Sequence, residues 1–83
     1  LANLTDLVLI GNRLTTLPPD IARLSKLARL SLDRNAITNL PPEIDRLPGL
    51  RYLTLGGNPY GGEKADEAQA ELRARLPQCE IVF

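Results

Sequence analysis

The chain has 83 residues, ten Lys plus Arg against ten Asp plus Glu, no His, and one cysteine, Cys79. That length suits one domain, and a domain so small buries only about 60% of the surface its unfolded chain exposes. Zero net charge removes the electrostatic case for nucleic acid or a membrane surface. One cysteine excludes an internal disulfide framework, and no stretch is long and apolar enough to span a bilayer. The first legible element is the segment from Leu4 to Leu9, where leucines recur as LxxLxL. Leu7 and Leu9 point to one side and Val8 to the other, the period of a strand with one buried face.

Asn12 closes that strand, and Leu14 and Leu17 follow before the pair Pro18-Pro19. Proline fixes its own backbone angle and is tolerated in a first helical turn. Asp20 suits a helix N-terminus, and Ile21 and Leu24 sit three apart, so a short α or 3₁₀ turn is expected there. The same order then returns. Leu4, Leu7, Leu9, Asn12, Leu17, Pro18, Pro19, Ile21 and Leu24 recur 23 residues later as Leu27, Leu30, Leu32, Asn35, Leu40, Pro41, Pro42, Ile44 and Leu47. Ile37 stands for Leu14, and Glu43 for Asp20. Leu50, Leu53, Leu55 and Asn58 continue the register a third time. A fixed period of this size marks a stacked repeat architecture, in which parallel strands need a crossover between them.

After Asn58 the pattern changes. Pro59-Tyr60-Gly61-Gly62 reads as a turn, with Tyr60 half-buried in the slot of Leu14 and Ile37. Residues 63–76 read as a true helix, with Ala65, Ala68, Leu72 and Leu76 as a sparse apolar stripe. Acids lie early and Arg73 and Arg75 late, as the helix dipole favours. A membrane-surface helix is a poor alternative, because the apolar face is mostly Ala and the polar face mixed in sign. Leu76, Cys79 and Ile81 share the LxxLxL spacing of Leu50, Leu53 and Leu55, which places a closing strand at an offset of 26.

The units LxxLxLxxNxL and LPPxIxxL, present twice in full and once in part, resemble leucine-rich repeats (LRR) of the 23-residue, LPPEI-containing type. That type is common in intracellular scaffolds, LRR–GTPase proteins and bacterial proteins. The LPxCxI tail and terminal Phe83 resemble the C-terminal cap of such domains. The resemblance implies an α/β fold: a short solenoid with parallel strands on the concave face and short helical turns on the convex face. A helix and strand then close its C-terminal end. Residues 1–83 form a single domain in this reading, with repeats at 4–26, 27–49 and 50–75 and a closing strand in 76–83. The same reading expects either a small module or the C-terminal part of a longer array. Extracellular relatives usually carry cysteine-rich caps, so a cytoplasmic setting is implied.

Asn12, Asn35 and Asn58 are expected to form a structural ladder, since Asn can satisfy backbone groups of its own turn and its neighbour's. At this period a ladder outweighs a ligand-contact role. Cys79 would need a base to act as a nucleophile, and there is no His; its alignment with Leu53 makes it a core residue instead. No metal-ligand spacing and no phosphate-binding glycine motif occurs. Catalytic residues, cofactors and metals are therefore not expected.

What remains is the concave face, the expected site of a protein partner. Alternation places three rungs there: Asp6, Arg29, Tyr52 and Gln78; Val8, Ser31, Thr54 and Glu80; Ile10, Asp33, Gly56 and Val82. Gly11, Arg34 and Gly57 stand beside them. Arg and Tyr are common interface anchors; the bland reading is that Asp6, Arg29 and Asp33 merely neutralise one another. Two rivals to a free-standing binding module stay open. One is a substrate-recruiting segment of a larger enzyme, such as a GTPase, kinase or effector ligase. The other is a truncated or engineered solenoid. The first repeat has no counterpart before Leu4, so Leu4, Leu7, Leu9, Leu14, Leu17, Ile21 and Leu24 are expected to form a sticky edge. Preceding repeats, another domain or a second copy would cover it.

Overall fold

The fold is described by a computed structural model covering residues 3–83. Leu1, aligned by sequence with Leu24 and Leu47, lies outside the described residues. Four three-residue strands form one parallel sheet in chain order: β1 (Asp6–Val8), β2 (Arg29–Ser31), β3 (Tyr52–Thr54) and β4 (Glu80–Val82). The first three stand in the register of the sequence repeat, with Leu7 opposite Leu30 and Leu30 opposite Leu53. Hydrogen bonds beyond the short strands extend each pairing, as from the N–H of Leu9 to the carbonyl of Ser31 (2.8 Å) and of Leu32 to Thr54 (2.9 Å).

The return segments follow from their prolines. Pro18 holds an extended backbone, Pro19 opens the 3₁₀ turn Pro19–Arg23, and Pro42–Arg46 repeats it. The N–H of Ile21 donates to Pro18, Leu24 to Ile21 and Leu27 to Leu24, all near 3.1 Å, so three-residue steps lead into the next strand. Leucines of strand and return segment meet in one core. Leu27, Leu32, Ile37, Ile44, Leu47, Leu50 and Leu53 are fully buried there.

The C-terminal return is longer. A 3₁₀ turn (Gly62–Lys64) precedes helix α1 (Ala65–Arg75), so the helix begins two residues later than the sequence suggests. Gly61 has a positive φ of 80°, and a β-carbon there would lie 2.6 Å from that of Ala68. Only glycine lets the chain turn this close beneath the helix. Leu72 and Leu76 pack inward, Tyr60 is buried rather than half-buried, and its ring lies 5.6 Å from that of Phe83. Arg75 grips Asp45 through Nε and its terminal nitrogen at 3.0 Å, tying the helix to the second return segment. Asp45 thus anchors the helix from the second return segment.

The closing strand corrects the sequence alignment. Leu53 faces Ile81, not Cys79, and Tyr52 faces Glu80, not Gln78. The offset is 28 rather than 26 because the chain takes a further turn at Pro77–Gln78 after the helix. Ile81 fills the core slot, and Cys79 is only half-buried at its margin. Burial raises its thiol pKa, against a lowering by Arg51 and a smaller raise by Glu80.

Candidate functional site

The open face of the sheet carries the alternate residues of the four strands. With the corrected register its first rung is Asp6, Arg29, Tyr52 and Glu80, and its second is Val8, Ser31, Thr54 and Val82. Ile10, Asp33 and Gly56 continue beyond the strand ends, where Gly11 donates to the carbonyl of Asp33 and Arg34 to that of Gly56. Gln78 leaves the face for the preceding turn. Val82 moves up beside Thr54, a place that two extra residues in the C-terminal return put beyond reach of spacing alone. Strands about 4.8 Å apart make the four-strand face roughly 14 Å across.

The side chains on this face are partly preset. The Arg29 guanidinium lies 5.0 Å from the centre of the Tyr52 ring, a cation–π contact that holds both while leaving the guanidinium's donors available. Among the described residues Arg29 has no carboxylate partner, so Asp6 and Asp33 do not pair with it. Asp33 instead accepts the N–H of Gly56 through Oδ1 at 3.0 Å. Thr54 Oγ1 is buried with no hydrogen-bond partner among the described residues. Arg34 is exposed at the exit of β2, with a positive φ of 58° where the neighbouring repeats have Gly11 and Gly57.

Four large apolar side chains are exposed among the described residues: Val8 (62%), Ile10 (47%), Tyr52 (46%) and Val82 (50%). All four stand on this face. Leu4, Leu7, Leu9, Leu14 and Leu24 of the first repeat are half-exposed at the edge of the solenoid, whereas Leu17 and Ile21, expected there, are buried.

Beneath the face, the asparagines fasten successive repeats. Asn35 Oδ1 accepts the N–H of Asn12 (2.7 Å) and Leu14 (3.0 Å), while its Nδ2 donates to the carbonyls of Leu9 (2.8 Å) and Leu32 (2.9 Å). Asn58 does the same one repeat on, accepting from Asn35 and Ile37 and donating to Leu32 and Leu55. Asn12 is different. It is exposed, and its side chain makes one long contact, 3.4 Å to the carbonyl of Ile10. Two of the three expected rungs of the ladder are therefore formed.

No group of three His, Cys, Asp or Glu side chains is placed to hold a metal among the described residues. Nor is any of their helices long and apolar enough to cross a membrane.

A comparison with curated proteins found no match. Among solved structures, the LRR protein LIC12759 of Leptospira interrogans is similar, with a TM-score of 0.88 and 41% identity. The match covers 99% of this chain and 20% of that one. The leucine-rich-repeat family model matches residues 2–59. Most of the chain thus fits the family in sequence and nearly all of it in fold: it belongs to the leucine-rich-repeat family.

Proposed function

We infer that the chain is a non-enzymatic module that binds a protein partner on the open sheet face. One observation carries this: all the exposed large apolar side chains among the described residues are gathered there, beside a stacked Arg–Tyr pair. Exposed apolar side chains on one face, around an aromatic–arginine pair, suit a partner protein. Tyr52 and Arg29 supply the anchor, Val8, Ile10 and Val82 the apolar flanks, and Asp6, Ser31, Asp33, Thr54, Glu80 and Arg34 the polar surround. The one cysteine accords with a cytoplasmic setting, and the half-exposed leucines of the first repeat accord with cover by a neighbour.

The test is a photo-crosslinking residue placed at Ile10 and, as control, at Lys26 on the return side, followed by identification of the adduct made in cells. A protein captured at Ile10 alone should then bind the purified chain. The double variant Arg29→Ala with Tyr52→Ala should weaken that binding about 100-fold or more, as expected for interface anchors, and leave the denaturation midpoint within error. Equal binding by the double variant would end the assignment.

A further inference from the structure

We propose that Arg29 and Tyr52 form the seat for one acidic side chain, a glutamate or aspartate, of a protein partner laid across the sheet face. This rests on the reading that the open face binds a protein, and adds the chemistry that the partner brings there. Strands β2 and β3 set Arg29 beside Tyr52 and Ser31 beside Thr54. All four side chains carry a donor: a guanidinium, a phenol and two hydroxyls. Among the described residues none of these side chains makes a hydrogen bond or an ion pair, and the charged pair that does form is Asp45–Arg75. Thr54 Oγ1 is covered by protein and still unpartnered, which buried hydroxyls seldom are. A rotamer turn toward an acceptor on this rung satisfies it.

The stack points the seat at a carboxylate. The Arg29 guanidinium is held 5.0 Å from the centre of the Tyr52 ring on β3, and it forms no ion pair with Asp6, its neighbour on β1. A stacked guanidinium keeps its N–H edge free, and the arginine fork fits a carboxylate through two parallel bonds.

The surrounding charges decide which anion fits. Asp6 and Glu80 end the same rung, on β1 and β4. Strand spacing puts each within about 10 Å of the guanidinium, close to the screening length at physiological salt. One cation thus stands between two carboxylates. A single partner carboxylate neutralises Arg29, whereas a phosphate dianion or a run of acids brings surplus negative charge against Asp6 and Glu80. The exposed Val8 and Val82 end the next rung and offer apolar contact beside the acid. The segment recognised is therefore a lone acid among apolar residues, not an acidic tract.

The experiment selects linear random peptides, displayed on phage through their C-termini, on the whole chain. It keeps those that photo-crosslink to a probe residue at Ile10 and not at Lys26. Each should contain an Asp or Glu whose change to Asn or Gln weakens binding about 10-fold or more, the loss expected of a charge-assisted hydrogen bond. Against Arg29→Ala the same change should have no further effect, and Arg29→Glu should select Lys or Arg at that place. Arg29 is exposed, so these variants should keep the parent's denaturation midpoint; should Arg29→Ala fail to fold, Arg29→Gln gives the same reading. Face-bound peptides whose acids are indifferent to Arg29→Ala overturn the carboxylate seat and leave the face a binding surface. Displacement by inorganic phosphate, where acetate at equal ionic strength has no effect, makes a phosphoryl group the occupant and overturns the seat as well. A selection in which no peptide crosslinks at Ile10 rejects both the seat and the face.

Discussion

Leu7 and Leu30 hold the same place in successive repeats, yet Leu30 is 1% exposed and Leu7 only half-buried. The same holds for Leu9 against Leu32 and for Asn12 against Asn35. The two repeats are nearly the same sequence in different company. Among the described residues, repeat 27–49 has a neighbour on both sides and repeat 4–26 on one. A solenoid repeat contacts only its neighbours, so its stability is an intrinsic term plus its interfaces. The leucine pattern describes what a repeat can bury, and the count of neighbours decides how much it does.

Paired substitutions sharpen this contrast. Leu30→Ala should lower unfolding stability by about 3 kcal/mol, since it removes a buried leucine and leaves a cavity. Leu7→Ala, at a site that solvent already reaches, should cost about 1 kcal/mol. Urea denaturation of both variants reads the difference, and equal losses would mean that the two repeats share one environment. A smaller effect of opposite sign is expected at the exit of β2. Arg34 holds the left-handed backbone that Gly11 and Gly57 hold in the adjoining repeats. Such strain costs on the order of 1 kcal/mol, so Arg34→Gly should raise stability by up to about that amount. A loss would show that the Arg34 side chain contributes more than its backbone costs.

Most of the fold was legible because the repeat is rigid in length. Leu7, Leu30 and Leu53 fall in one row because each return path from Leu9 or Leu32 consumes the same number of residues and begins at the same proline pair. Legibility ended where that spacing ended. The helical return after Tyr60 has no fixed length, and leucine-like spacing alone puts Cys79 in the slot that Ile81 fills. That spacing puts Gln78 on the face, which it leaves for the turn, and misplaces Glu80 and Val82 by one rung. The stacking of Arg29 on Tyr52 was not legible either, although their adjacency was, because alternation sets the side of a residue and not its rotamer. Nor was the Asp45–Arg75 pair, which depends on where the helix lies against the second return segment.

The ladder asparagines test the central claim most directly, because Asn12 and Asn35 are chemically identical and differ only in their neighbours. Denaturation midpoints of Asn12→Ala and Asn35→Ala in the 83-residue chain should differ sharply. Asn35→Ala orphans the N–H groups of Asn12 and Leu14 and the carbonyl of Leu9, and leaves the carbonyl of Leu32 only its bond from Asn58, at a cost of about 1–3 kcal/mol. Asn12→Ala removes one long, exposed contact and should stay within about 0.5 kcal/mol of the parent. Equal losses, or a silent Asn35→Ala, would contradict the account.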